Sequence, residues 1–82
     1  MNAAVKASNQ AVAVAAMEVI EAAREVVHEA EPESGASGAG YRVNGEAMDV
    51  LCAAVRRFTE AEGSMLKAHV DAAREAAGGA RG

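Results

Sequence analysis

Valine stands at positions 5, 12, 19 and 26, and that interval of seven decides what the first third of the chain can form. Seven residues are close to two turns of an α-helix, so the four side chains fall in one row. In a β-strand an odd interval would send successive valines to opposite faces. Ala13, Ile20 and Val27 run beside the valines, Ala16, Ala23 and Ala30 lie between them, and Glu18, Glu21, Arg24, Glu25, His28 and Glu29 fill much of the remaining circumference. The pattern predicts a helix over residues 3–30, roughly 42 Å long at 1.5 Å per residue.

The only proline, Pro32, ends that helix, because its ring removes a hydrogen bond and drives the preceding residue out of helical geometry. Residues 31–44 hold three of the eight glycines and form an elbow. Asn44 then offers a side-chain N-cap for a second helix over residues 45–77, with Glu46 and Asp49 in its first turns, where the helix dipole favours negative charge. Gly78 and Gly79 are expected to end it, leaving a tail over residues 78–82. A three-four spacing of Met48, Leu51, Val55, Phe58, Glu62, Met65, His69, Ala72 and Ala76 predicts its contact seam. Glu62 and His69 are misfits there, and Leu66, Val70, Ala73 and Ala77 form a neighbouring row, so the stripe is expected to rotate by one position after Gly63.

The chain is therefore all-α, a single antiparallel two-helix hairpin. An elbow centred near residue 38 gives facing positions whose numbers sum to about 75. That register sets Ile20 by Val55, Val27 by Met48, Val5 by Val70 and Val12 over Gly63, and brings Glu18 and Glu21 near Arg56 and Arg57, and Lys6 near Asp71.

Composition argues for a partner. Hydrophobic residues make up 51% of the chain, but 22 of them are alanine and aromatics are 2%. Alanine favours helix yet buries little area. Two such helices hide only the strip between them, so the predicted core and interface (Val12, Val19, Ile20, Val26, Val27, Met48, Leu51, Val55, Phe58, Met65, Leu66 and Val70) are expected to be completed by the same or a similar hairpin, giving a four-helix bundle.

Other classes are disfavoured. A net charge of −4 without a basic stripe opposes nucleic-acid binding. No apolar run is long enough to span a bilayer. The alanine-rich segment over residues 11–17 continues the helical pattern rather than forming a signal-peptide core, so cytoplasmic residence or export without cleavage is expected. One cysteine, Cys52, permits no intrachain disulfide, and its neighbours Val50, Leu51, Ala53 and Ala54 suggest a buried small hydrophobe rather than a nucleophile. Glu25 and His28 have the Glu-x-x-His spacing of bundle metal sites, but Val26 and Val27 take the inward positions, so a solvated pair is expected. Glu62 and His69 stand two turns apart, too far to share an ion on one helix. Cys52 and His69 are roughly 25 Å apart along a helix, which rules out a triad within it. No cofactor, no metal and no enzymatic activity is expected.

Residues 34–41 read Ser-Gly-Ala-Ser-Gly-Ala-Gly-Tyr, a small-residue elbow followed by an aromatic. With the hairpin organisation and the chain length, this resembles the small secreted substrates of type VII secretion, the Trp-x-Gly (ESAT-like) proteins. That resemblance implies a helical hairpin that pairs as a four-helix bundle and is exported. The chain has no tryptophan, and no tyrosine followed four residues later by an acid after Ala77. Three roles fit the sequence: an interaction module that self-associates or pairs with a similar chain, a structural subunit of a phage or shell assembly, and a small metal bundle using Glu25, His28, Cys52, Glu62 and His69.

Overall fold

The computed structural model describes residues 2–32 and 40–81. Helix α1 spans Ala3–Glu29 and helix α2 spans Gly45–Arg81. Between them Glu31–Pro32 (β1) and Tyr41–Arg42 (β2) pair antiparallel, Glu31 opposite Arg42 and Pro32 opposite Tyr41. The two helices pack against each other along their length, an all-α helical hairpin.

Local chemistry sets both starts. The Asn2 side chain accepts from the amides of Ala4 at 2.7 Å and Val5 at 3.4 Å. Asn44 Oδ1 accepts from the Ala47 amide at 3.1 Å, the cap expected from the sequence. α1 stops where Ala30 turns extended, two residues before Pro32. The two-residue ladder in the elbow was not foreseen; it closes the base of the turn, and Arg42 adds an exposed ion pair to Glu31 at 3.6 Å.

At its far end α2 departs from expectation. It continues through Gly78 to Arg81, and Gly78 has no left-handed φ that would cap a helix. A helical glycine costs about 1 kcal/mol relative to alanine, not enough by itself to stop a helix. With 37 residues against 27, α2 outruns the start of α1. The rod measures 73 × 18 × 15 Å. Its radius of gyration is 19.7 Å, against about 12 Å for a compact domain of this length.

The seam is narrower and more alanine-rich than predicted. On α1 the inward rows are Val5, Val12, Val19, Val26 and Ser8, Ala15, Ala22; on α2 they are Leu51, Phe58, Met65, Ala72 and Ala47, Ala54, Ala61, Ala68. Among the described residues only Val5, Ala15, Ala22, Ala47 and Ala54 are buried, Ala54 most fully at 1% exposure. The second inward row of α2 thus consists of alanines, one position before the predicted Met48, Val55, Glu62 and His69. This removes the two misfits, since Glu62 and His69 are exposed. The stripe does not rotate after Gly63: Met65, Ala68 and Ala72 stay half-buried while Leu66 and Val70 are exposed. Gly63 lies on the outer face, where an added Cβ would meet nothing, so Val12 does not sit over it.

Candidate interaction surface

Two contacts between the helices define the two sides of the rod. Arg57 Nε lies 3.1 Å from Glu18 Oε2 on one flank. His69 Nε2 lies 3.0 Å from Asn9 Oδ1 on the other. Following each contact along its seven-residue row assigns the remaining side chains.

The flank marked by Glu18 and Arg57 is charged. It carries Glu18, Glu21 and Glu25 from α1, and Arg57, Glu60, Lys67, Asp71 and Arg74 from α2. Glu29, close by at the elbow, has its carboxyl pKa raised, chiefly by a hydrogen bond with Glu25 one turn away and then by desolvation and that residue's charge. Further along, Lys67 Nζ binds Asp71 Oδ2 at 2.8 Å, which raises the lysine and lowers the aspartate. Asp71 therefore has Lys67 of its own helix as partner, rather than the expected Lys6.

The flank marked by Asn9 and His69 is largely apolar toward the elbow. From α1 it presents Ala13, Ala16, Ile20, Ala23 and Val27; from α2 it presents Met48, Cys52 and Val55. These positions form a second three-four seam on each helix, adjacent to the one used within the hairpin. Ile20 is 47% exposed, Val27 76%, Met48 38% and Val55 45%. A shallow open depression is lined by Ile20, Ala23, Arg24, Val27 and His28.

The predicted core and interface residues therefore divide. Val12, Val19, Val26, Leu51, Phe58 and Met65 line the seam between the helices, half-buried. Ile20, Val27, Met48, Val55 and Leu66 do not; they stand on the uncovered flank, and Val70 stands on the outer face. The pairs Ile20 with Val55 and Val27 with Met48 are level along the rod but lie outside the seam, and Val5 is buried without Val70 over it. Cys52, expected to be buried, is exposed. Missed from the sequence were Ala15, Ala22, Ala47 and Ala54, the buried small residues; the seven-residue recurrence of Ala47, Ala54, Ala61 and Ala68 was the available signal.

Among the described residues no three of His, Cys, Asp and Glu converge as a metal site. Glu25 lies on the charged flank, His28 borders the depression over Ile20 and Val27, and Glu62 and His69 are exposed on the flank opposite Glu25. Among the described residues no helix is long and apolar enough to cross a membrane. The elbow sequence behind the type VII resemblance lies outside the described residues except for Gly40 and Tyr41.

Fold and surface together define a class: an antiparallel α-helical hairpin with one charged flank and one uncovered apolar flank. No protein-family model, curated protein or solved structure matches the chain.

Proposed function

We propose that the chain is a non-enzymatic protein-interaction module that completes its core by laying its apolar flank against a second hairpin, its own copy or a similar chain, as a four-helix bundle. One observation supports this above the rest. The accessible surface is 6183 Å², whereas a compact monomer of 8.3 kDa exposes about 4,600 Å². The difference, about 1,600 Å², exceeds the roughly 800 Å² that each partner contributes to a standard interface. Part of it belongs to the end of α2 beyond α1. The flank toward the elbow adds to it the exposed side chains of Ile20, Val27, Met48 and Val55.

In this reading the cellular role is that of a paired helical-hairpin substrate of a type VII-like system, a suggestion carried only by the elbow sequence and the hairpin shape. Light scattering over a dilution series tests the module itself. The expected result is a closed dimer that dissociates on dilution. A monomer at every concentration would overturn the reading, and a mass that grows without limit would replace it with a subunit of an open assembly. The export role is tested separately, by following the chain in culture medium with and without a functional secretion system.

A further inference from the structure

Asparagine stands at positions 2, 9 and 44, and of these Asn44 alone is followed by glycine. That dipeptide carries a chemistry of its own. The backbone nitrogen of the residue after an asparagine can attack the side-chain Cγ and close a five-membered succinimide, and a glycine there has no side chain to shield the nitrogen. Asn44 and Gly45 are both exposed, beside an open hollow lined by Glu29, Glu31, Arg42, Val43 and Asn44. A Cβ on Gly45 would meet nothing within 4 Å, so the approach is open. As the first residue of α2, Gly45 also has no acceptor for its N–H within the helix.

The same asparagine starts α2 with two hydrogen bonds. The Ala47 amide donates to Asn44 Oδ1 and the Met48 amide donates to the Asn44 backbone oxygen, each at 3.1 Å. The carbons that carry those two oxygens are the two that a succinimide joins to one nitrogen. We infer that Asn44-Gly45 is a site of spontaneous deamidation and backbone rearrangement, reached when the first turn of α2 frays, at which the chain irreversibly alters the start of its second helix. In the first step the Gly45 N–H gives its proton to solvent, its nitrogen bonds to Cγ, and the Cγ–Nδ2 bond breaks as ammonia leaves. Water then opens the ring. Attack at Cγ breaks the new bond and gives aspartate; attack at the backbone carbonyl breaks the original peptide bond and gives isoaspartate, in which the chain runs through Cβ and Cγ and the old carbonyl becomes a carboxylate. Aspartate keeps both acceptors, caps as well as asparagine and adds a charge that the helix dipole favours. Isoaspartate adds a carbon to the main chain and exchanges the two acceptors, so the bonds from Ala47 and Met48 lose their geometry together.

The full chain is held at mildly alkaline pH for days. Peptide mapping by mass spectrometry reads conversion at each asparagine, and enzymatic methylation of isoaspartate reads the rearranged product. Asn2 is the internal standard, because it caps α1 through the Ala4 and Val5 amides but is followed by Ala3. Conversion at Asn44 is expected to run at least tenfold faster than at Asn2, to yield both products, and to quicken in urea, where the turn is open. Gly45→Ala, for which there is room, is expected to slow it at least tenfold in the folded chain and in urea alike, which separates the chemistry from any change in fraying. Amide exchange at Ala47 and Met48 is expected to quicken in the aged chain, whereas Asn44→Asp exchanges as the fresh parent does. Conversion no faster than at Asn2, aspartate without isoaspartate, or an equal rate in Gly45→Ala overturns the site. Unchanged exchange at Ala47 and Met48 in an aged, isoaspartate-bearing chain overturns its effect on α2.

Discussion

Arg57 Nε and Glu18 Oε2 lie 3.1 Å apart across 39 residues of sequence, an ion pair that fixes the level at which the two helices meet. Both side chains are about half exposed, so solvent screens the attraction and holding two long side chains still offsets much of the gain. The pair selects register more than it stabilises. Arg57→Ala and Glu18→Ala are each expected to lower stability by less than about 1 kcal/mol, with a coupling energy below about 1 kcal/mol in a double-mutant cycle read by thermal melting. A coupling of several kcal/mol would mean that this flank is covered in solution.

Ala54 is the most deeply buried side chain, at 1% exposure, in the row of alanines that α2 turns toward α1. Those alanines set how close the helices come, so extra volume there must push the rods apart. Ala54→Leu is expected to destabilise the hairpin by about 1–3 kcal/mol, the usual cost of overpacking, measured as loss of helical ellipticity on heating. The same substitution at Ala53 or Cys52, outside the inward rows, is expected to leave the melt nearly unchanged under monomeric conditions.

That contrast also marks what was legible in the sequence. The valine row, Pro32 and Asn44 each act within one helix or one cap, so helix positions, the antiparallel hairpin and the level of Glu18 with Arg57 followed from spacing. The seam on α2 was harder. Large side chains attract attention in a periodicity, and Met48 and Val55 were read as inward. Close helix packing instead selects small side chains for the contact, leaving the large ones beside it. Ile20, Val27, Met48 and Val55 accordingly stand exposed beside the seam. Nothing at Gly78 requires a left-handed turn, so its promise as a helix stop was not met either.

At Gly63 the structure reverses an expectation about substitution. Had Val12 lain over it, a side chain there would clash; instead a Cβ would meet nothing within 4 Å. Gly63→Ala adds a methyl group to open solvent and removes backbone freedom from the unfolded chain. It is expected to stabilise α2 by about 0.5–1 kcal/mol, seen as a raised melting temperature with unchanged mass in solution. A lowered melting temperature would show that this outer face is occupied.

Acid should act oppositely at the two ends of the rod. Asp71, near the start of α1, has its carboxyl pKa lowered in the folded chain, first by the hydrogen bond from Lys67 and then by that residue's charge. A lowered folded value means stability that is complete above the unfolded value and lost as pH falls through the folded one. Glu29, near the elbow, has its value raised by its hydrogen bond with Glu25. Its contribution is present below the unfolded value and disappears as pH rises through the folded one. Acidification through the carboxylate range in low salt is therefore expected to loosen the turn around Lys67 and Asp71 while firming the last turn of α1, observed by amide hydrogen exchange resolved along the chain. Asp71→Asn should abolish the first change and Glu29→Gln the second, and added salt should weaken both because the groups are solvent-exposed. Uniform loosening of both ends, unaltered by either substitution, would show that neither local pair governs the acid response.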